Sequence, residues 1–249
     1  MNLTYLSNSK KKLSSYVNSD DRSNFFINGF ITFNLEETNK KKLFFQKCND
    51  INDNKFPDGY SWSEFYESTE DYGPKPFKDD YFIDFLFDQN LHQKIDEVTG
   101  QELFLGDFAI RRTFPHKKSY MRWHRDTHFY KNKKIIGRIP PINKLIIYVN
   151  NKDQNPTDQL TLSPKSHLRF NNNKYLDIIN AMIRPKVKIK SSNVSCLFIN
   201  SMIQHSVVQN LNQIGSSVRL IYNFCLKSQL QQFSGNVDLQ EDYIKRKNI

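Results

Sequence analysis

Cysteine is scarce in this chain of 249 residues, which contains only Cys48, Cys196 and Cys225. The three lie far apart, and no CxxC pair or zinc-ribbon spacing occurs. No run of about 18 apolar residues is present that could span a bilayer. The first residues hold no apolar segment of signal-peptide length. These absences predict a reduced, cytoplasmic protein with no disulfide framework and no membrane partner.

Hydrophobic and positively charged residues are both abundant. Hydrophobic residues make up 38% of the chain and aromatic residues 14%, which predicts an ordered core. The formal net charge of +10 has two interpretations. It indicates an anionic partner, such as nucleic acid, a phosphorylated substrate or a membrane surface, or it reflects solvated lysines without a partner. The lysines are spread over many short clusters, including 10–12, 40–42 and 131–134, which favours the second interpretation.

The chain is predicted to consist of a flexible N-terminal lead at 1–18, a single domain at 19–228 and a C-terminal tail at 229–249. Residues 51–78 are rich in Asp, Gly, Pro and aromatics, and we interpret them as a long irregular segment and a candidate lid. Helices precede many short strands, which predicts an α+β fold with a β-sandwich or jelly-roll core flanked by N-terminal helices. The predicted helices are 22–27, 36–50, 79–98 and 176–183, and the predicted strands are 30–33, 103–114, 121–126, 145–150, 160–163, 186–190, 196–200, 206–209 and 218–226.

His124 and Asp126 are the first two candidate metal ligands. Residues at i and i+2 of an extended segment point to the same side, because strand side chains alternate. His205, in a turn that leads into a later strand, is the candidate third ligand. Two histidines and one carboxylate form the facial triad of non-haem Fe(II) oxygenases. His128 is a rival ligand, but four strand residues span about 13 Å, so we expect His128 and Tyr130 in the substrate pocket.

Arg219 is the candidate for binding the far carboxylate of a 2-oxoacid. It lies in the strongly β-forming run 217–222, where a guanidinium is costly to bury without a partner. A dicarboxylate held by the guanidinium fork removes that cost. Asn223 lies on the same strand face if alternation continues, so it is a second candidate contact. Arg111 and Arg112 end a strand that should run toward the site, and Arg112 is a candidate contact for an anionic substrate.

The order His-x-Asp, His, Arg resembles the Fe(II)/2-oxoglutarate-dependent dioxygenases, and within them the phytanoyl-CoA dioxygenase family. Residues 123–126, Trp-His-Arg-Asp, look like that family's Trp-His-x-Asp segment. Residues 160–167, Leu-Thr-Leu-Ser-Pro-Lys-Ser-His, look like its Leu-x-x-x-Pro-Gly-Ser-His segment. The likeness covers residues 23–227. Lys165 stands where the family usually has Gly, and Ile146 stands where a strand tryptophan is common.

The resemblance implies a double-stranded β-helix (jelly-roll, cupin-like) fold in which His124, Asp126 and His205 bind Fe(II) and Arg219 binds 2-oxoglutarate. The implied reaction consumes 2-oxoglutarate and O2, releases succinate and CO2, and hydroxylates an unactivated C–H bond of a small molecule. Basic residues near the mouth of the expected active site would suit an anionic substrate. Two alternatives stay open: a nucleic-acid-modifying oxygenase with the same metal chemistry, and a non-catalytic binding protein on the same fold. The oligomeric state also stays open.

Overall fold

The computed structural model describes most of the chain from residue 19 onward. The described residues are 19–66, 69–74, 81–114, 121–131, 134–138, 142–149, 158–190, 194–209 and 216–248. The predicted N-terminal lead at 1–18 lies outside them, as do residues 67–68 and 75–78 of the predicted lid.

Four of the α-helices lie before residue 100, and two follow later in the described part of the chain. They are α1 (Ser19–Asn28), α2 (Asn39–Asn52), α3 (Tyr81–Asp88), α4 (Leu91–Thr99), α5 (Lys174–Ile183) and α6 (Val237–Lys247). The helix predicted at 79–98 is divided, because Asn90 takes the left-handed conformation with φ of 52°, which Asn tolerates better than most residues. Gly100, in the left-handed conformation with φ of 67°, ends α4. Among the described residues, no helix has both the length and the apolar character that crossing a membrane requires.

The strands form two antiparallel sheets and a separate hairpin. They are β1 (Phe30–Phe33), β2 (Ser61–Tyr66), β3 (Thr69–Gly73), β4 (Phe104–Thr113), β5 (Met121–His124), β6 (His128–Lys131), β7 (Lys134–Arg138), β8 (Asn143–Val149), β9 (Asp158–Ser163), β10 (Val187–Lys190), β11 (Cys196–Asn200), β12 (Gln204–Gln209) and β13 (Ser217–Cys225). Within the described part of the chain, one sheet has seven strands in the order β1-β11-β8-β13-β4-β3-β2, and the other has four in the order β10-β9-β12-β5. β6 pairs with β7, a hairpin that the sequence analysis does not predict. The combination of helices and antiparallel sheets confirms the predicted α+β class.

Two hydrophobic cores lie on opposite faces of the seven-stranded sheet. One fills the space against the N-terminal helices and includes Phe44 of α2. The other lies between the two sheets and includes Leu162 of β9. Alternation along β13 explains the division. Leu220 and Tyr222 belong to the helix-side core, and the Tyr222 hydroxyl donates to a carbonyl of α3 over 2.9 Å, whereas Arg219 faces the other sheet.

β2 and β3, together called the edge hairpin, pair at the edge of the seven-stranded sheet, which corrects the prediction of an irregular segment at 51–78. β2 pairs with β3, and β3 continues the sheet by pairing with β4. Tyr72 is 4% exposed and packs against Tyr60 and Trp62, at ring-centroid distances of 5.1 and 5.5 Å. The aromatics that the sequence analysis assigns to a lid therefore hold a hairpin onto the sheet.

The segment after β13 packs on the domain, where the sequence analysis predicts a tail at 229–249. A 3-10 helix, Lys227–Asn236, leads into α6, and both contact β4. Tyr243 is fully buried. Phe233 lies against Gly106 so closely that a Cβ atom there would come within 2.6 Å of the ring. The C-terminal residues thus cover one end of β4.

Candidate metal centre

Two histidines are brought together by neighbouring strands of the small sheet. β5 and β12 are antiparallel, with His124 directly opposite His205. The centroids of the two rings are 4.2 Å apart. β12 begins at Gln204, so His205 lies within the strand and not in the turn where the sequence analysis places it. Pairing across two strands therefore creates the first half of the site.

Asp126 reaches the histidines from a turn. β5 ends at His124, and the backbone amide of Asp126 donates to the carbonyl of Ser201 over 3.3 Å. The predicted strand at 121–126 is therefore too long, and alternation does not align the two residues. Oδ1 of Asp126 lies 3.4 Å from Nε2 of His124 and 3.7 Å from Nε2 of His205. One ligand atom from each residue lies within 4.8 Å of the others, so one cation can contact all three.

Backbone carbonyls orient both imidazole rings. Nδ1 of His124 donates to the carbonyl of Arg122 over 2.7 Å, and Nδ1 of His205 donates to the carbonyl of Ile203 over 3.1 Å. A proton on Nδ1 leaves the Nε2 lone pair available for a metal. Nε2 of His124 is buried and has no hydrogen-bond partner among the described residues. Such an atom is costly to bury unless something occupies its lone pair, so the residues fit a metal ion.

Burial and charge set the protonation of the three side chains. Burial lowers the pKa of His205 from 6.5 to about 4, although Asp126 opposes this. Burial also acts to lower the pKa of His124, but Asp126 and the Arg122 carbonyl outweigh it, and the pKa rises. The pKa of Asp126 lies well below its usual 3.8, because Lys144 and the two histidines overcome the effect of burial. At neutral pH the site presents an ionised carboxylate beside a neutral His205.

Lys144 is a site residue that the sequence analysis misses. It lies on β8, and its Nζ is 2.8 Å from Oδ2 of Asp126. The two carboxylate oxygens are thus divided, with Oδ1 toward the histidines and Oδ2 toward the lysine. This contact fixes which oxygen is offered to a metal. A lysine directly before the apolar run 145–149 of the same strand is the same kind of signal that identifies Arg219, and it could have been recognised.

The candidate ligands open into a cavity between the two sheets. It contains about 560 Å³ of space, a volume that includes solvent at its open mouth. The described residues that line it are Arg111, Met121, His124, Asp126, Lys144, Ile146, Tyr148, Leu160, Ile199, His205, Val207, Arg219 and Ile221. The walls are thus mainly apolar, with cations and one carboxylate at fixed points.

Arg219 lies in this cavity, as the sequence analysis expects of a carboxylate clamp. Its side chain is nearly buried, and Nη1 donates to Oγ1 of Thr113 over 2.9 Å. Arg111 is its cross-strand neighbour on β4. Asp71 of the edge hairpin accepts two hydrogen bonds from Arg111, from Nε over 2.6 Å and from Nη2 over 2.9 Å. Asp71 therefore neutralises Arg111 and prevents direct repulsion between the two guanidinium groups.

Two other residues that were predicted to contact 2-oxoglutarate or the substrate have their side chains outside the cavity. Nδ2 of Asn223 donates to Oδ2 of Asp107 over 3.2 Å, and Asn223 is not among the described residues that line the cavity. The side chain of Arg112 lies on the opposite face of β4. There its Nε donates to Glu70 over 2.6 Å, and its guanidinium lies 4.3 Å above the ring of Trp62. The structure therefore does not bring Asn223 or Arg112 together with the metal ligands.

The predicted substrate contacts His128 and Tyr130 belong to the β6–β7 hairpin. Their backbone forms β6, with His128 opposite Arg138. Their side chains lie outside the part of the chain that the structure describes. A role for them in substrate binding stays a prediction.

Arg125, which stands between two candidate ligands, is the centre of a buried polar cluster. Its Nε and Nη2 donate to the two oxygens of Asp177 on α5, over 2.7 and 2.9 Å, and both side chains are almost fully buried. Its guanidinium also donates to the carbonyls of Ser166, Arg169 and Met202. One side chain thus ties the end of β5 to the residues around it.

Asp177 also links this cluster to the second histidine strand. Nε2 of Gln204, the residue before His205, donates to Oδ2 of Asp177. Asp177 on α5 therefore contacts the chain next to His124 through Arg125, and next to His205 through Gln204. Because all these groups are buried, the two ligand-bearing segments are held in one register relative to α5.

The loop after β9 contains a residue in the left-handed conformation. Lys165, at φ 65° and ψ 2°, stands where the family it resembles usually has Gly. Its amide donates to the carbonyl of Asn28 over 3.2 Å. Nε2 of His167 donates to the carbonyl of Phe26 over 2.9 Å, and its ring packs directly on Gly29. His167 therefore attaches this loop to α1 and does not contribute to the metal centre.

Replacing Lys165 by glycine is expected to raise the free energy of unfolding by about 0.5–1 kcal/mol. A left-handed conformation costs a residue with a side chain roughly 1–2 kcal/mol, and the greater flexibility of unfolded glycine cancels part of the gain. Urea unfolding followed by circular dichroism measures the change. Lys245→Gly, at an exposed position inside α6, is the matched control and should lose about 1 kcal/mol. A Lys165→Gly protein less stable than the original chain would contradict this explanation.

No protein-family model matches the sequence, and no curated protein is similar to it. Several solved structures do share its fold. HygX from Streptomyces hygroscopicus, with nickel, 2-oxoglutarate and hygromycin B bound, has a TM-score of 0.63 at 13% identity, over 85% of this chain and 88% of that chain. SnoN, a non-haem α-ketoglutarate-dependent epimerase from nogalamycin biosynthesis, has a TM-score of 0.60 at 10% identity, over 87% and 83%.

AviO1 from Streptomyces viridochromogenes Tue57 is a third structure of this kind, with a TM-score of 0.59 at 14% identity, over 87% of this chain and 98% of that chain. At such identities the likeness establishes a shared fold. The resemblance to the phytanoyl-CoA dioxygenase family rests on the sequence motifs alone.

Proposed function

We propose that this protein is an Fe(II)- and 2-oxoglutarate-dependent oxygenase, a single domain with a jelly-roll core that hydroxylates a small molecule. The observation that carries the proposal is the convergence of His124, Asp126 and His205 in one cavity with Arg219. Two imidazoles and one carboxylate suit iron and leave positions for other ligands. The fold likeness supports it, since HygX holds nickel and 2-oxoglutarate, and a SnoN structure holds Fe3+ and α-ketoglutarate.

The protein's own groups would hold the metal and its co-substrate. Nε2 of His124, Nε2 of His205 and Oδ1 of Asp126 are the proposed ligands. When bound, iron supplies the activation of O2, coupled to conversion of 2-oxoglutarate into succinate and CO2. Lys144 holds the second oxygen of Asp126, which keeps the first one directed at the metal. Second contacts of this kind orient ligands and are usually needed for full metal affinity.

The opposite part of the cavity suits a dicarboxylate. Arg219 is nearly buried on a strand whose neighbouring side chains are apolar, and Thr113 supports its guanidinium. A guanidinium binds a carboxylate through two parallel hydrogen bonds, which are strong where water is excluded. Ile146 and Ile221 line the same cavity and exclude water from that contact. We therefore assign the far carboxylate of 2-oxoglutarate to Arg219.

Hydroxylation of a small molecule is the proposed reaction type. HygX has hygromycin B bound in addition to nickel and 2-oxoglutarate, and a SnoN structure contains a nogalamycin compound in addition to Fe3+ and α-ketoglutarate, so proteins of this fold bind small molecules. SnoN is an epimerase and SnoK a carbocyclase, so the fold alone does not determine the outcome. The motif resemblance to the phytanoyl-CoA dioxygenases supports hydroxylation. A product heavier by one oxygen atom, detected by mass spectrometry, would identify it.

Anaerobic addition of Fe(II) and 2-oxoglutarate tests the proposal directly. We expect a visible charge-transfer band, and we expect His124→Ala to lose both the band and the bound metal. A substrate panel monitored for succinate then identifies the reaction. Absence of the band in the original chain, or equal metal content in both proteins, would overturn the oxygenase assignment. A band without succinate from any substrate would favour a binding protein on the same fold.

Replacing Arg219 by methionine is expected to weaken 2-oxoglutarate binding by about 30-fold to several thousand-fold. Loss of one partner of a buried, hydrogen-bonded charge pair costs about 2–5 kcal/mol, and each 1.4 kcal/mol is tenfold. Titration of 2-oxoglutarate into the Fe(II)-loaded protein, followed by the charge-transfer band, measures the dissociation constant. Fe(II) binding should persist, since Arg219 is not a ligand. Arg122→Met, on the exposed side of β5, is the control, and equal losses in both variants would argue against the clamp.

A further inference from the structure

The helix α5 presents its apolar side chains to solvent. The exposed fractions are 54% for Tyr175, 50% for Leu176, 50% for Ile179, 53% for Met182 and 75% for Ile183. The buried positions are instead Asp177 and Ala181, at 2% and 1%. At about 100° per residue, the five exposed side chains fall in one arc of roughly 120°, opposite the two buried ones. The amphipathic pattern of the helix is therefore reversed relative to a helix that packs on a core.

The buried polar cluster fixes this orientation. Asp177 accepts two hydrogen bonds from Arg125 and a further one from Gln204. Rotation of α5 to bury its apolar arc would leave Arg125 as an unpaired buried charge, which costs several kcal/mol. The apolar arc is thus held outward by interactions that also position the metal ligands. Exposed apolar surface of this extent on a protein usually marks a contact with a partner or a membrane.

Cations flank the apolar arc along the chain. The described residues 165–188 contain the cations Lys165, Arg169, Lys174, Arg184, Lys186 and Lys188. The acidic residue in this range is Asp177, which is buried against Arg125. All the cations except the half-buried Arg184 are exposed. An apolar surface flanked by cations, without an exposed acid in the range, is complementary to an interface that has anionic groups above an apolar layer.

We propose that α5 and its flanking cations dock on a membrane surface that contains anionic phospholipid. Leu176, Ile179, Met182 and Ile183 would enter the boundary between headgroups and acyl chains. Lys186 and Lys188 would contact the phosphates. This is a property of the outer face of α5, so it does not depend on the proposed chemistry in the cavity. Such docking departs from the sequence-based prediction of no membrane partner, which rested on the lack of a membrane-spanning run and does not address surface docking. It also gives part of the +10 net charge a role that solvated lysines would not have.

Two other occupants fit this face less well. A second copy of the chain, packed by a twofold axis, would bring the same cations against each other. Nucleic acid would satisfy the cations, but proteins that bind single strands place several aromatic rings beneath successive bases. This arc has one aromatic ring, Tyr175, among four aliphatic or thioether side chains. An anionic lipid surface matches both the charge and the aliphatic character.

Vesicle co-sedimentation of the purified full chain tests the proposal. We expect binding to vesicles of phosphatidylcholine mixed with phosphatidylglycerol, and little binding to phosphatidylcholine alone. Each cation near an anionic surface strengthens binding by about fivefold, so the double variant Lys186→Gln/Lys188→Gln should bind roughly 30-fold more weakly. Added salt should weaken the binding of the original chain, because it screens these charges.

The same vesicle experiment also tests variants that lack apolar side chains of α5. Ile179→Ser/Ile183→Ser should bind the anionic vesicles more than about tenfold more weakly, since each CH2 group that enters the membrane contributes about 0.8 kcal/mol. Leu43→Ser is the matched control, because Leu43 is 64% exposed on α2, away from α5, and its loss should not change binding. All these side chains are exposed, so the melting temperatures should stay close to that of the original chain.

Four results would overturn the proposal. The first is equal binding to neutral and anionic vesicles, and the second is no binding to either. The third is concentration-dependent dimerisation in analytical ultracentrifugation that disappears in Ile179→Ser/Ile183→Ser, which would assign the face to a second copy. Binding to duplex DNA that survives the isoleucine substitutions, without binding to vesicles, would likewise assign the cations to nucleic acid. Succinate formation in solution should be unchanged in the isoleucine variant, so failure here is separable from failure of the proposed function.

Discussion

Purified His205→Ala protein is expected to bind Fe(II) more than about 100-fold more weakly than the original chain and to release no succinate from 2-oxoglutarate. Loss of an outer contact to a ligand already costs about 10–100-fold in metal affinity, and His205 is a proposed ligand itself. Its neutral state at pH 7, which follows from a pKa of about 4, makes its Nε2 available without competition from a proton. Fe(II) titration and succinate assay measure the two effects.

A matched histidine variant separates this loss from a general effect of removing imidazole. His92 lies outside the cavity, with its ring 4.4 Å from that of Phe87. His92→Ala should retain Fe(II) binding and turnover. His124→Ala provides a second measurement if His205→Ala does not fold, because His124 is less buried than His205. Retention of stoichiometric Fe(II) in a folded His205→Ala protein would exclude His205 as a ligand.

Replacing Asp177 by asparagine is expected to lower the free energy of unfolding by about 3–5 kcal/mol, because a buried charge loses its partner. The guanidinium of Arg125 would remain in place, almost fully buried, with no carboxylate. Urea unfolding measures the change. Asp88→Asn is the control, because Asp88 pairs with Lys40 at the surface, and exposed pairs contribute about 1 kcal/mol or less. A similar small change in both variants would show that the buried pair does not stabilise the fold.

The contact between Arg125 and Asp177 also predicts how the stability difference between the original chain and Asp177→Asn depends on pH. The pKa of Asp177 is lowered from 3.8, because the hydrogen bonds and charge of Arg125 outweigh the effect of burial. A lowered pKa contributes stability that is fully present above the unfolded value and is lost as the pH falls through the folded value. The stability difference between the original chain and Asp177→Asn should therefore be constant near neutral pH and shrink below 3.8. A difference that grows on acidification would contradict this assignment.

The chemistry of the site could be predicted from residue types more reliably than its geometry. His124, Asp126 and His205 were recognisable because few residue types bind metals and their order is distinctive. Strand alternation gave the wrong reason for their proximity, since β5 ends at His124 and a turn carries Asp126. The true cause is the pairing of β5 with β12, a contact between segments about eighty residues apart in the sequence. Local periodicity contains no information on such pairing.

The supporting contacts could not be predicted for the same reason. An arginine in a predicted strand is ordinarily exposed to solvent, so Arg125 gives no local sign of burial. Its partner Asp177 is on a helix far along the chain. The hairpin at 61–73 lies in a segment with many turn-forming residues, and only its pairing with β4 makes it a strand. Lys144 did carry a local signal, as a charge in an apolar strand, but its contact with Asp126 depends on the packing of two sheets.

The edge hairpin has a consequence for the kind of acid that the cavity can accept. Asp71 is the hairpin carboxylate that neutralises Arg111, the neighbour of Arg219. A shift of the β3 register by one residue would turn Asp71 to the other face of the sheet. Arg111 would then add its charge to the cavity, although no cavity residue had changed. Insertions or deletions in the edge hairpin can thus change the charge of the acid that the cavity accepts. The metal ligands and the residues that orient them would stay intact.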